Sequence, residues 1–224
     1  MAFSVLFDGI NDEITAADSA SLDVSGSLTL ECWANMDAFP GVWADIIAKG
    51  TTDNVYQIAI NSSGAINAGI QKAVNTFVAY TTTATLSTGR WAHVAFVYNQ
   101  VDLRIYINGA LQDTPVAETA AIDTNAAPLR LMNGEDGFAD GTLDEVRIWN
   151  IARTAAQIAA FRFEELSGTE SGLVLYWRLD EGTGTSDTDR SGNSNTGTIA
   201  GGATWSQNTA PIGASRGLPL MGVG

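Results

Sequence analysis

The chain has 224 residues and carries 11 Lys and Arg against 25 Asp and Glu, a formal charge of −14. That balance excludes bare nucleic acid as a partner, because holding phosphates takes clustered cations. With 45% hydrophobic residues the composition is globular. The length suits one large all-β domain, and no run approaches the roughly 20 apolar residues of a membrane-spanning helix.

Short apolar runs separated by Gly, Asn, Asp and Ser predict strands at 4–7, 28–36, 45–49, 56–60, 65–70, 76–80, 91–98, 103–107, 129–132, 141–149, 173–178 and 196–199. The N-terminus, Met1-Ala2-Phe3-Ser4, has neither the basic nor the apolar region of a secretory signal, so the chain is expected to be made in the cytoplasm. Cys32, the single cysteine, lies inside an apolar strand pattern and reads as a small core residue. Asn61-Ser62-Ser63-Gly64 reads as a turn between strands.

Along 91–98, Trp91, His93, Ala95 and Val97 share one face, and Ala92, Val94, Phe96 and Tyr98 share the other. Both faces are largely apolar, which places the strand centrally in its sheet. His93, the one histidine, therefore reads as a satisfied core or interface residue. With no second histidine and one buried cysteine there is no zinc set and no nucleophile–histidine triad. Asn99 to Asp102 and Asn108-Gly109 supply two hairpin turns.

Within 141–149, Glu145 and Arg147 alternate with Val146 and Ile148 and read as an outward or cross-strand ion pair. A helix is expected over 154–165, with Thr154 as N-cap, Ile158 and Phe161 on one side, and Gly168 and Gly172 after its end. The Gly- and Ser-rich stretch 182–202 looks like a linker, but the Trp205 that follows implies that it folds back onto the strands. Domain limits are set at 1–211, with 212–224 as an extended or disordered C-terminal arm; its Leu218, Leu220 and Met221 suit docking on a neighbour.

The ordered pieces Leu6-Phe7-Asp8-Gly9, Leu28-Thr29-Leu30-Glu31-Cys32-Trp33, Ile46-Ile47-Ala48-Lys49-Gly50, Arg90-Trp91-Ala92-His93-Val94, Tyr106-Ile107-Asn108-Gly109 and Leu143-Asp144-Glu145-Val146-Arg147-Ile148-Trp149-Asn150 resemble laminin-G-like, concanavalin A-like jelly rolls of the bacterial and phage type. Residues 172–182 and 189–193 resemble a stretch that elsewhere leads into such a domain. The resemblance implies an all-β antiparallel sandwich with one short helix. It also implies a structural Ca²⁺ tying the first strand to the penultimate one, for which Asp8, Asp12 and Asp144 are the carboxylates and Asn11 and Gly50 further oxygen donors. Calcium takes six to eight oxygens, carboxylates and carbonyls mixed. The local alternative has Asp8 capping its own turn and Asp144 paired with Arg147 or Arg153.

Glycosidases on such a fold need two carboxylates about 5–5.5 Å apart for retaining chemistry. The strands 91–98 and 103–107 contain none; Glu164-Glu165 falls on the helix and Asp180-Glu181 at a strand end, so no enzyme is expected. For sugar binding, aromatic rings beside amides and carboxylates are required. Trp43, Tyr56, Phe77, Tyr80 and Phe138, in or near loops, are candidates, and the loop from Asp37 to Trp43, which adds Phe39, is the most favoured. Phe39 and Trp43 could equally cover one end of the sandwich.

Such domains serve as carbohydrate-binding modules, adhesins, glycosidase accessory domains and virion surface proteins, and fold alone does not choose among them. The expectation is a non-enzymatic virion-surface protein of a phage, of decoration or fibre-associated type, with other surface proteins and exposed glycans as partners. The alternative is a free, calcium-dependent lectin or adhesin.

Overall fold

Period-two alternation builds two facing antiparallel sheets in the computed structural model, which describes residues 2–72, 76–134 and 137–213. In chain order the strands are β1 (Ser4–Asp8), β2 (Glu13–Ala16), β3 (Leu28–Ala38), β4 (Trp43–Lys49), β5 (Tyr56–Asn61), β6 (Ala65–Lys72), β7 (Thr76–Thr85), β8 (Ala92–Tyr98), β9 (Asp102–Ile107), β10 (Ala110–Ala117), β11 (Leu129–Leu131), β12 (Asn133–Gly134), β13 (Gly137–Phe138) and β14 (Asp140–Trp149). Helix α1 (Ala155–Phe161) follows, then β15 (Leu173–Trp177), β16 (Ser186–Asp187), β17 (Gly197–Ala200) and β18 (Thr204–Ser206). The expected arm falls from residue 214 onward outside the described residues.

The first sheet runs β10-β9-β8-β3-β14-β1-β18, with β15 also on β14; the second runs β16-β17-β2-β11-β4-β5-β6-β7. β8 is central, between β9 and β3, as its two apolar faces require. One face of β8, Val94, Phe96 and Tyr98, joins Phe7, Leu30, Ile58, Ile70, Leu143 and Trp177 in the core between the sheets. Each such apolar side chain contributes about 1.5–3 kcal/mol on leaving water. The other face places Ala95 and Val97 with Tyr106 and Ile158, a second cluster beneath α1.

The stretch 182–202 is indeed no linker. β17 pairs with β2 and β18 with β1, opposing Trp205 to Val5. Thus the last strands close the edges opened by the first ones.

α1 starts where expected: Thr154 Oγ1 accepts from the Gln157 amide at 3.2 Å, and Gln157 Oε1 accepts from the Thr154 amide at 2.8 Å. This reciprocal cap satisfies two otherwise unpaired donors. The helix ends at Phe161 rather than near 165. The carbonyls of Phe161 and Glu164 are instead turned to the Arg147 guanidinium, and that of Arg162 to the Trp33 indole N–H. The helical pattern loses to those buried donors.

Candidate functional site

The outer face of the second sheet forms an open groove of about 540 Å³ across β4, β5, β6 and β7. Because Ile58 and Ile60 of β5, and Ile66, Ala68 and Ile70 of β6, point into the core, their neighbours Gln57, Ala59, Asn67, Gly69 and Gln71 point outward. The register sets Ala59 opposite Asn67, Gly69 opposite Ala79, and Gln71 opposite Phe77. The floor is therefore made of small residues. Gly69 is held there by space: a Cβ would lie 2.3 Å from the Val78 carbonyl oxygen.

Trp43 stands at one corner and Phe77, 39% exposed, at the opposite one. The two are three strands apart and about six residues apart along the strands, a diagonal of roughly 25 Å between backbones. The groove's described lining holds two carboxylates, Asp45 and Asp53, four amides, Asn54, Gln57, Asn67 and Gln71, and no cation. Its polar groups are cross-braced. Asn54 Nδ2 donates to Asp45 Oδ2 and Gln57 Oε1, each at 2.8 Å, and Asn67 Nδ2 donates to Thr81 Oγ1 at 3.1 Å. Held amides between the half-buried Trp43 ring and the exposed Phe77 ring offer fixed hydrogen bonds and a stacking surface.

Of the aromatics picked out from sequence, Trp43 and Phe77 line this groove. Phe39 and Phe138 line a smaller depression of about 350 Å³ with Asp8, Gly9 and Asp140. Tyr56 is a correction: it is wholly buried, its hydroxyl donating to the Leu22 carbonyl at 2.9 Å, so it cannot stack on a ligand. It begins β5, the strand expected over 56–60, with its side chain on the core face.

The five proposed calcium donors do not converge. Asp8 caps its own turn, with Oδ1 accepting from the Ile10 amide, while its own amide donates to Asp12 Oδ2, both at 2.9 Å. Asn11 Nδ2 donates to the Gly201 carbonyl at 3.0 Å. Asp140, not Asp144, faces Asp8 across β1 and β14. Asp144 lies four residues further along, roughly 13 Å away by strand rise, and accepts from the Ala210 amide at 3.0 Å. The Gly50 carbonyl accepts from Arg130 Nε at 2.7 Å on the other sheet. Among the described residues no group of three or more His, Cys, Asp or Glu side chains is placed to share a metal ion. The donor set does not fit calcium.

Glu145 and Arg147 do form the expected outward ion pair, but it is covered, at 4% and 1% exposure. A bulge in β14 between Asp144 and Arg147, with Glu145 at φ +53°, puts Asp144 and Glu145 on successive outward positions and returns Val146 to the core. Under α1 the pair joins Tyr176, whose hydroxyl donates to Glu145 Oε2 at 2.8 Å. Alongside, Glu31 accepts from the Trp149 indole at 2.7 Å and lies 3.4 Å from His93 Nε2 and 3.5 Å from Arg153 Nη1. Burial pushes the Glu31 carboxyl up, but the His93 hydrogen bond and the charges of Arg147 and Arg153 outweigh it and hold it well below the usual range. Burial also lowers His93, against the pull of Glu31. His93 is accordingly a neutral donor, and the arginines balance the carboxylate. This layer escaped the sequence reading because alternation tells which residues share a face, not that a helix covers it.

A two-layer antiparallel sandwich with a polar, aromatic-flanked groove on one face defines a lectin-like jelly roll. Residues 8–159 match the laminin-G-type family model of the concanavalin A-like lectin/glucanases superfamily, and the chain belongs to that family. Among solved structures, a Bacteroides ovatus protein provisionally named as carbohydrate binding is 25% identical, with a TM-score of 0.75. The match covers 95% of this chain and 62% of that one, so the chain spans less than two thirds of its length. The heptameric SAP-like pentraxin of Limulus polyphemus is 17% identical at a TM-score of 0.61, covering 92% and 94% of the two chains. Trypanosoma rangeli sialidase is 10% identical at 0.54, covering 70% of this chain and 26% of that one. The last two are likenesses of fold alone. Comparison with curated protein sequences gives no match.

Proposed function

We propose that the chain is a non-enzymatic glycan-binding module whose binding face is the groove over β4–β7. The observation that carries this reading is a half-buried ring, Trp43, and an exposed one, Phe77, flanking three braced amides, Asn54, Gln57 and Asn67, over a floor of Ala59, Gly69 and Ala79. Carbohydrates present apolar ring faces and rows of hydroxyls, so they need this mixture of flat aromatic surface and fixed polar partners. The absence of a lining cation among the described residues favours neutral sugars over sulfated or uronic ones. The groove's length and open form suit several linked rings rather than one enclosed terminal sugar. The name of the Bacteroides ovatus protein agrees with this reading. No chemistry is assigned: Asp45 is engaged with Asn54, and among the described residues Asp45 and Asp53 are the two carboxylates lining the groove.

The test is a glycan array of the whole chain, run in Ca²⁺ and in EDTA. Binding to neutral oligosaccharides is expected, equal in both buffers because the groove supplies its own polar groups. Trp43→Ala and Phe77→Ala should each weaken it at least tenfold, about 1.4 kcal/mol or more, as truncated aromatic anchors do. Both variants should melt like the parent. A blank array, or binding indifferent to both substitutions, removes the proposal. A place on a virus particle is a separate expectation that draws nothing from the groove; peptide mass spectrometry of purified particles decides it.

A further inference from the structure

We propose that the oxygen cage around the Lys49 ammonium is a cation site filled by the chain's own side chain, and that without the ammonium it takes one divalent, oxygen-seeking cation such as Ca²⁺. Lys49 ends β4 and is fully buried, which is rare for lysine unless its charge is matched. Its Nζ lies 2.7 Å from Asp18 Oδ1, 2.7 Å from the Ala127 carbonyl and 2.8 Å from the Asn125 carbonyl. Those three bonds use all its donors. Two more oxygens stand by: Asn125 Oδ1 at 3.4 Å and Asp23 Oδ1 at 3.5 Å, the latter a buried atom with no hydrogen-bond partner.

The cage thus offers five oxygens where an ammonium can engage three. Carboxylates mixed with backbone carbonyls and an amide are the donors that calcium prefers, and a spherical ion imposes no limit of three. Charge points the same way. Asp18 and Asp23 supply two negative charges against one positive, and after burial itself their fields push the nearby Tyr56 phenol upward. Removing Lys49 leaves two uncompensated carboxylates, the charge that a divalent ion neutralises.

The cage ties together the connection between β2 and β3, the end of β4 and the connection leading into β11. Asn125 Nδ2 extends it to the Asp53 carbonyl at 2.9 Å. A tethered cation keeps this end of the sandwich assembled whatever the free calcium concentration, because it cannot dissociate. This inference is independent of the glycan reading: Lys49, Asp18, Asp23, Asn125 and Ala127 do not line the groove, and Asp53, which does, touches the cage only through its backbone carbonyl.

The experiment compares thermal melts of the whole chain, Lys49→Ala, and Lys49→Ala combined with Asp18→Asn, each in EDTA and in millimolar Ca²⁺. Lys49→Ala should melt lower than the parent in EDTA. Calcium should raise it by about 5 °C or more once the ion is in hundredfold excess over its Kd. The parent and the double variant should not respond. Calorimetric titration should show one ion per Lys49→Ala chain beyond any bound by the parent. Equal responses in all three proteins, or none in Lys49→Ala, overturn the proposal. Should Lys49→Ala be recovered unfolded, refolding from urea with and without Ca²⁺ decides: recovery with calcium alone supports the site, and failure in both buffers refutes it.

Discussion

Arg147→Met is expected to lower the stability of the chain by about 3–5 kcal/mol, the range for removing one partner of a buried ion pair. Arg147 is 1% exposed, and its guanidinium donates to Glu145 Oε2 and to the Phe161 and Glu164 carbonyls while stacking 5.4 Å over the Tyr176 ring. Methionine fills much of the volume but leaves the Glu145 carboxylate buried, and it strips two carbonyls of their donor. Glu31, further off, loses part of the field that keeps it ionised. The loss should therefore exceed the ~1 kcal/mol of an average substitution. The urea midpoint should fall with the slope unchanged, and amides in α1 and the segment to residue 166 should exchange faster, because that segment is held by Arg147. Adding Glu145→Gln to Arg147→Met should recover part of the loss, since the uncompensated charge is then gone. Purely additive effects would show that the pair acts by volume alone.

Asp144→Asn should stabilise the chain above neutral pH. Asp144 is 4% exposed; burial, with the charges of Glu145 and Asp180 added, pushes its carboxyl up to about 8 despite the Ala210 amide bond. The unfolded chain gives up that proton near 3.8, so between about pH 4 and pH 8 the native state holds the greater number of protons. Stability contributed by the protonated form is full below the lower value and declines as pH rises through this window. At pH 7 the three-unit gap corresponds to at most about 4 kcal/mol. Asparagine keeps an acceptor for Ala210 and carries no proton to lose. Melting temperatures measured from pH 5 to pH 9 should fall for the parent and fall less for the variant, the two diverging from pH 5 to about pH 8 and keeping a constant gap beyond it. Asp187, also buried and raised to about 7, supplies the decline that remains in the variant. Parallel profiles would mean that Asp144 is ionised throughout.

The strand positions were legible because alternation is a local property: β8 and β9 follow from which apolar residues repeat at period two, whereas the bulge in β14 breaks the period and turns Asp144 outward beside Glu145. The N-cap of α1 was legible for the same reason, Thr154 standing just ahead of Ile158 and Phe161 at helical spacing, while the return bond from Gln157 came only with the structure. β10 was missed because Gln112, Asp113 and Pro115 break the pattern; it survives as an edge strand on β9, where one side needs no ladder bonds. The turn around Asp8 was foreseen only as the alternative to a metal.

What the chain order concealed was mostly a matter of cover and distance. Residues 173–206 come last, yet β15, β17 and β18 pair with β14, β2 and β1, so the final strands complete a fold that begins at Ser4. Glu145 and Arg147 read as an outward or cross-strand pair, with nothing local to show that α1 closes over them, and Asp144 and Asp8 read as partners until the register sets Asp140 opposite Asp8. The groove needed four strands side by side before Trp43 and Phe77 stood at its two corners. Sequence by itself determined the fold class, the central strands and the residues facing each way, since these depend on neighbours one to four positions apart. Only the tertiary structure decided which polar side chains share a site, because that depends on strand register and on which faces are covered.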